Sequence, residues 1–442
     1  MNSAKKHADT LIEARWIVPV EPAHRVLEHH ALAVTDGRID ALLPIAEARA
    51  TYSANETVEL PAHVLLPGLV NLHCHSPMTL MRGLADDLHL MEWLKEHIWP
   101  AEMKHVSASF VYDGSRLACA EMLRGGVTCF NDMYFFPRDT ARAAIDSGMR
   151  CAVGLIVIEF PSPYAADAQD YLSKGLALRD EMKVEPLLHF CFAPHAPYTV
   201  SDETLRQVAI YAGELDLPVQ IHLHETLAEI EQSLQSHQAR PLQRLADAGL
   251  LGPGLIAVHA VHLEPSEIAL LALHGCHVAH CPSSNLKLGS GIAPVAALLD
   301  AGVNVGLGTD GAASNNRLDL FAEMRLAALL AKGAGGDAAA LPAWRALEMA
   351  TINGARALAL DGQIGSLKPG KLADLTAVDL SALELTPCYE PLSHLVYVAG
   401  REHVSDVWVN GRRVVDSGTL RGIDCNELVA RANFWRDRIH TL

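Results

Sequence analysis

The sequence lacks the features that mark several large protein classes. Its nine cysteines, at 74, 119, 129, 151, 191, 276, 281, 388 and 425, include no Cys-x-x-Cys pair. That pattern is neither a zinc ribbon nor a secreted disulfide framework, so a reducing, cytoplasmic compartment is expected. There is no basic tract, and 35 Lys and Arg against 52 Asp and Glu leave a net charge of −17. Such a chain repels phosphate backbones, which argues against nucleic acid as a partner. Apolar runs such as Leu187–Phe192 are too short to span a bilayer, so no membrane association is expected. The start, Met1–His7, is polar and has no apolar stretch of the secretory kind. No internal repeat or low-complexity segment is present; Ala334–Ala340 is a small-residue loop.

What is present suits one large core. Half of the 442 residues are hydrophobic and a fifth are charged, which suits a large α/β barrel. From about residue 68 to 360, short apolar runs alternate with longer amphipathic stretches. The strand candidates are Val64–His75, Val127–Met133, Cys151–Phe160, Pro186–His195, Val219–Glu225, Leu255–His262, His277–Cys281 and Val303–Asp310. Helical patterns lie between them, among them Ser107–Leu123, Asp202–Gly213 and Leu227–Ala246. Strands alternating with helices predict an α/β fold with a parallel sheet closed as a (β/α)8 TIM barrel. A doubly wound open sheet has the same periodicity and competes with it. The flanks read differently. Ala8–Val18, His30–Val34 and Arg38–Leu43, and the segment 364–421, are short strands with turns at Asp36-Gly37, Pro369-Gly370 and Asn410-Gly411. Both termini are therefore expected to meet in a small β-sandwich. The expected division is 1–66 and 364–442 for the sandwich and a C-terminal helix, and 67–363 for the barrel.

Chemistry gathers at the strand ends, where barrel enzymes place their sites. The run Leu66–His75 ends in His73 and His75, and residues two apart on a strand point to the same side. His222 closes the fifth strand candidate, His259 the sixth and Asp310 the eighth. In a closed barrel the first and eighth strands are neighbours and face the fifth across one mouth. A divalent cation, usually zinc, suits such a nitrogen and oxygen ligand set and keeps a position open for water. Any one of these histidines alone is more often a hydrogen-bonded core residue than a ligand. Their joint placement makes coincidence the poorer account.

The Pro-Gly run into His-x-His, the later strand-end histidines, Asp310 and the segment Gly365–Asp374 together resemble the amidohydrolase superfamily, over nearly the whole chain. Binuclear members carry a bridging lysine on the fourth strand. Here that strand offers His195, and Lys183 lies before it. The resemblance is thus to the branch with one metal per chain, with His73, His75, His222 and Asp310 as ligands and zinc the expected ion. Iron and manganese accept the same set. It further implies that metal lowers the pKa of bound water to about 7. Asp310 would move the water proton to the leaving amine, Glu225 would protonate the ring nitrogen, and His259 would orient the nucleophile. Glu225 has a rival reading as a cap of the following helix. His224 and His262 are expected to be structural.

Ser76–Gly83, Glu92–Leu94, Pro100–Glu102, Ala193–Tyr198, His280–Asn285 and Gly308–Gly311 resemble enzymes that deaminate S-adenosylhomocysteine, 5′-methylthioadenosine and adenosine. By that resemblance Glu102 would accept two ribose hydroxyls, His195 would bond the purine, and Trp93 would wall the apolar part of the pocket. Plainer readings are an exposed first-turn residue for Glu102 and core packing for Trp93. The expected partner is a small nucleoside, and the expected assembly is a homodimer or homotetramer. Guanine, oxidised-guanine and cytosine deaminases, and triazine hydrolases, are rivals on the same scaffold. A non-catalytic metal-binding barrel is the rival from another class.

Overall fold

The computed structural model describes residues 5–440; the start Met1–Ala4 lies outside the described residues. Two eight-stranded sheets organise the chain. One begins with β1 (Lys6–Ile17), β2 (Leu27–Thr35), β3 (Arg38–Pro44) and β4 (Tyr52–Pro67). The other contains β5 (Leu69–Cys74), β6 (Val127–Asp132), β7 (Arg150–Val157), β8 (Leu188–Pro194), β9 (Val219–Leu223), β10 (Leu255–His259), β11 (His277–His280) and β12 (Asn304–Leu307). The chain then returns to the first sheet through β13 (Leu375–Asp379), β14 (Val404–Val409), β15 (Arg412–Asp416) and β16 (Thr419–Leu420). That sheet runs β16-β15-β14-β13-β4-β1-β2-β3, so both termini share it. Its own core includes Ile12, Leu32, Val58, Leu375 and Trp408.

The second sheet runs in sequence order, β5 to β12, with parallel pairing throughout. Helices cover it, so both faces of each strand are buried and the strands read as unbroken apolar runs. All eight residues of β7 are buried. The eighth strand returns beside the first, which makes this a TIM barrel. Asp310 N donates to the His73 carbonyl at 3.0 Å. Thr309 N donates to Asn71 Oδ1 at 2.9 Å, and Asn71 Nδ2 to Thr309 Oγ1 at 2.7 Å. The approach is close: a Cβ on Gly308 would lie 2.9 Å from the His73 Cβ and 3.0 Å from Cys281 Sγ.

Two sequence expectations are corrected. The run Val64–His75 is not one strand: it crosses from β4 to β5 at Gly68. A side chain there would collide with Thr128, its Cβ falling 2.1 Å from Oγ1, so the crossing requires glycine. Leu227–Ala246 is two helices, Leu227–His237 and Pro241–Asp247, because Gln238 turns left-handed at φ 56° and Pro241 starts anew. The C-terminal helix, Cys425–His440, lies against the helix Ala108–Arg124. Trp435 stacks edge-on against Phe110 at 5.1 Å, and its indole N–H donates to Asp113 at 2.7 Å. Among the described residues no helix is long and apolar enough to cross a membrane.

Candidate active site

The C-terminal ends of β5, β9, β10 and β12 converge on one point. His73 projects from β5, and His75 follows it by one residue beyond the strand, with ring centroids 4.7 Å apart and planes at 88°. His222, on β9, stands 4.9 Å from His73 at 89°. His259 ends β10 and stacks on His222 at 5.4 Å. Asp310 follows β12 with φ 59°, and His259 has φ 71°. Left-handed backbone at non-glycine residues is strained, and here it turns the side chains into the barrel mouth.

Each imidazole is held by its Nδ1. His73 donates to Gln220 Oε1 (3.1 Å), His75 to the Met133 carbonyl (2.5 Å) and His222 to the His195 carbonyl (2.8 Å). The Gln220 amide is itself oriented by donating to Asn131 Oδ1 at 3.0 Å and to the Asp132 carbonyl at 2.8 Å. His259 Nδ1 meets Asn285 Oδ1 at 2.8 Å. A proton on Nδ1 leaves Nε2 as a bare lone pair. The Nε2 atoms of His73 and His222 face each other at 3.2 Å. Ligand atoms of His73, His222 and His259 all lie within 4.8 Å of one another, as do those of His73, His75 and Asp310. Lone pairs facing one another repel, so this donor set fits a cation between them, with the carbonyls behind fixing each ring.

Asp310 divides its two oxygens. Oδ2 accepts from Ser284 Oγ at 2.6 Å and Ser314 Oγ at 2.7 Å. Oδ1 faces His75 Nε2 at 3.2 Å and His73 Nε2 at 3.5 Å. Burial works against its charge, yet the two imidazoles hold its carboxyl well below the usual range. Burial pushes His73 down to about 4, and lowers His222 and His259 too, favouring the neutral form a ligand needs. His75 is buried as well, but Asp310 and the Met133 carbonyl outweigh that and raise it to about 9, so a cation at its Nε2 would have to displace a proton there.

Glu225 follows β9 and faces the same space. Its Oε2 lies 3.7 Å from His259 Nε2, and Ser290 Oγ donates to Oε1 at 3.3 Å. Burial and the charge of Asp310 push it up to about 8, which favours the protonated form a proton donor needs. It does not cap the next helix. Thr226 Oγ1 accepts from Glu229 N at 3.3 Å, while Glu229 accepts from the backbone N–H of His224 and Glu225. Between His222 and Glu225, His224 turns away at φ 54° and accepts from Leu242 N at 3.0 Å. His262 donates to the Ser290 carbonyl at 2.7 Å. The expected fourth-strand position has no lysine; Lys183 is exposed and bonds Asp180 at 3.0 Å.

A cavity of about 300 Å³ opens over this cluster, lined by His75, His195, His222, Glu225, His259 and Asp310 at its floor. Glu102 and Trp93 line its wall. Glu102 does sit in the first turn of the helix Trp99–His105, but its side chain faces inward and accepts the Tyr134 hydroxyl at 2.6 Å. Burial raises its carboxyl to about 7 against that hydrogen bond. His195 meets Thr199 Oγ1 at 3.0 Å and stands 4.9 Å from His222, and burial lowers it to about 3. Eight of the nine residues singled out from the sequence thus line one cavity, and the ninth, His73, is fully buried against the rings of His75 and His222. Sequence reasoning missed Gln220, Ser314 and Tyr134, and singled out Ser284 and Asn285 only as part of the segment His280–Asn285, without a role. Gln220 had a signal, since it precedes His222 by two and shares its side of the strand. Tyr134 had none.

The model of the amidohydrolase family matches residues 64–414. Two curated relatives, of Saccharophagus degradans and Teredinibacter turnerae, are both called 5-methylthioadenosine/S-adenosylhomocysteine deaminase. They are 47% and 49% identical to this chain over 435 and 431 residues, covering 98% of both chains in each case. A crystal structure of an adenosine deaminase from Xanthomonas campestris with bound zinc is 49% identical. It covers 99% of this chain and 100% of its own, with a TM-score of 0.98. An atrazine chlorohydrolase of Arthrobacter aurescens shares the fold at 24% identity and a TM-score of 0.90, over 97% of this chain and 100% of its own.

Proposed function

Because this chain belongs to the amidohydrolase family, we propose that it deaminates adenine nucleosides hydrolytically, with 5′-methylthioadenosine and S-adenosylhomocysteine as its substrate class. One observation carries the reading. A convergent His/Asp cluster, a buried Glu225 whose carboxyl is raised above the usual range and an inward-facing Glu102 meet at one cavity, on a chain nearly half identical to relatives named for that reaction.

His73, His75, His222 and Asp310 would hold one divalent cation, with zinc the best match to three imidazoles and a carboxylate. When bound, the ion supplies Lewis acidity that makes water a nucleophile near pH 7. The chain's own groups do the rest. Glu225 gives its proton to N1, which makes C6 electrophilic, and the water oxygen forms a bond to C6. Asp310 takes one water proton and passes it to the amino group. The C6–N6 bond then breaks, ammonia leaves with that proton, and the remaining hydroxyl proton returns to Glu225. His259, fixed by Asn285, aligns the incoming oxygen. Glu102 holds the ribose, and His195 bonds the purine.

The test is direct. Purified chain loaded with zinc is incubated with adenosine, 5′-methylthioadenosine and S-adenosylhomocysteine, and the loss of adenine absorbance and release of ammonia are followed. The expected result is turnover of at least one, abolished by chelation and restored by added zinc. Absence of ammonia from every adenosine derivative, with metal bound, would overturn the reading.

A further inference from the structure

We infer that the part of the cavity beyond Glu102 takes an uncharged thioether or alkyl group at the ribose 5′ position and discriminates against a zwitterionic amino-acid tail. The inference rests on the deaminase reading and narrows it. With C6 at the histidine floor and the ribose at Glu102, a 5′ substituent enters what is left of the cavity. That space is walled by Leu90, Trp93, Trp99 and Met103 from one side and by Phe135 and Phe160 from the other. Among the described residues, no lysine or arginine lines the cavity at all.

Of the polar atoms that reach it, the serine hydroxyls are already engaged, and the buried indole N–H of Trp93 is without a hydrogen-bond partner among the described residues. Ser314 Oγ donates to Asp310 at 2.7 Å. Ser162 Oγ accepts from Tyr164 N at 3.0 Å and from the Tyr171 hydroxyl at 2.6 Å. The cations on the helices behind these loops are committed elsewhere. Arg138 makes two bonds to Glu181, both at 2.5 Å. Lys174 bonds Asp170 and the Tyr164 carbonyl, each at 2.7 Å. A carboxylate carried into this chamber would lose water and find no cation, only the single indole N–H of Trp93, which is costly. A thioether loses little on leaving water, and its sulfur is favoured beside aromatic rings such as Trp93, Trp99 and Phe160.

The experiment compares kcat/KM of the zinc-loaded chain for adenosine, 5′-methylthioadenosine, 5′-butylthioadenosine and S-adenosylhomocysteine. The butylthio compound matches the tail in length without its charges. The expected order places both uncharged thioethers about 100-fold above S-adenosylhomocysteine, the scale of stranding a charged group without a partner. Met103 is 61% exposed at the rim, and Met103→Arg is expected to raise S-adenosylhomocysteine relative to the butylthio compound about 10-fold, by offering the carboxylate a partner. S-adenosylhomocysteine within three-fold of the butylthio compound in the unaltered chain would overturn the inference. So would equal failure of both long tails, which would make length rather than charge the barrier. Either result leaves the deaminase reading standing, whereas no turnover of any of the four sinks that reading itself.

Discussion

Replacing Glu102 by glutamine isolates one contact whose worth follows from its surroundings. Glu102 Oε1 already accepts the Tyr134 hydroxyl at 2.6 Å, so a glutamine keeps that bond only by turning its carbonyl toward Tyr134. Its amide N–H2 then faces the space assigned to the ribose hydroxyls, a donor set against donors. Assayed above pH 7, where the Glu102 carboxyl is ionised, the nucleoside loses hydrogen bonds to a charged acceptor, about 1.5–3 kcal/mol, or roughly 10- to 150-fold in kcat/KM. The ribose does not react, so the contact is the same in ground and transition states, and the loss is expected mainly in KM. The assay follows adenine absorbance for 5′-methylthioadenosine and for 2′,3′-dideoxyadenosine, with metal content checked in each preparation. The dideoxy substrate has no hydroxyls to lose and should fall by less than about three-fold. A loss under three-fold on 5′-methylthioadenosine, or the same loss on both substrates, would refute the assignment of Glu102 to the ribose.

Other consequences test the remaining parts. Glu225→Gln keeps the shape of a side chain whose carboxyl is raised toward its protonated form but has no acidic proton to give. It should lower kcat by about 10²–10⁴-fold at unchanged metal content; a drop under ten-fold removes Glu225 as proton donor. Arg150, 1% exposed, bonds Asp374 at 2.9 and 3.1 Å and ties the start of β7 to the segment leading into β13. Arg150→Met strands a buried carboxylate and should cost about 3–5 kcal/mol in denaturant unfolding, much of it regained in the double variant with Asp374→Asn; a loss below about 1 kcal/mol contradicts this. Glu323 accepts from Ser283 N at 3.0 Å and Asn315 Nδ2 at 2.8 Å, yet burial raises its carboxyl to about 7 from 4.5. Its folded-state value lies above its unfolded one, so its contribution is full below pH 4.5 and lost as pH rises through 7. Denaturant midpoints from pH 4.5 to 8 should therefore fall less steeply in Glu323→Gln than in the unaltered chain; an identical slope would exclude Glu323 as its source.

How much of this was legible in the sequence depends on the range of the contact involved. His73 and His75 are readable because strand alternation converts spacing two into a shared side, a purely local rule. His222, His259 and Asp310 are readable because polar residues at the ends of apolar runs stand out against them. The break at Gly68 is not readable from the run itself, since β4 and β5 are both buried there and hydrophobicity does not change across the junction. What makes glycine necessary at the junction is Thr128, sixty positions on. Tyr134 follows the same logic: nothing around it distinguishes a core tyrosine from one that positions Glu102.

The open or closed sheet was the largest question periodicity left unanswered, and the seam shows why. Asn71 and Thr309, which bond at 2.7 and 2.9 Å across it, are 238 residues apart. No window of sequence contains both. The approach also needs Gly308, whose missing side chain leaves room for the His73 backbone and for Cys281. In an open sheet β5 and β12 would be opposite edges, and Asp310 would stand across the molecule from His73. Closure brings Asp310 N onto the His73 carbonyl at 3.0 Å and its carboxylate to 3.5 Å from the His73 ring. The donor set and the closed barrel are therefore one structural fact. A substitution that pried the seam apart, such as Gly308→Val, should cost metal affinity as well as stability, whereas a core cavity of equal cost elsewhere, such as Leu245→Ala, should spare the metal. Metal titration of the two variants at matched stability decides it: equal affinities would mean that the ligands hold their places without the seam.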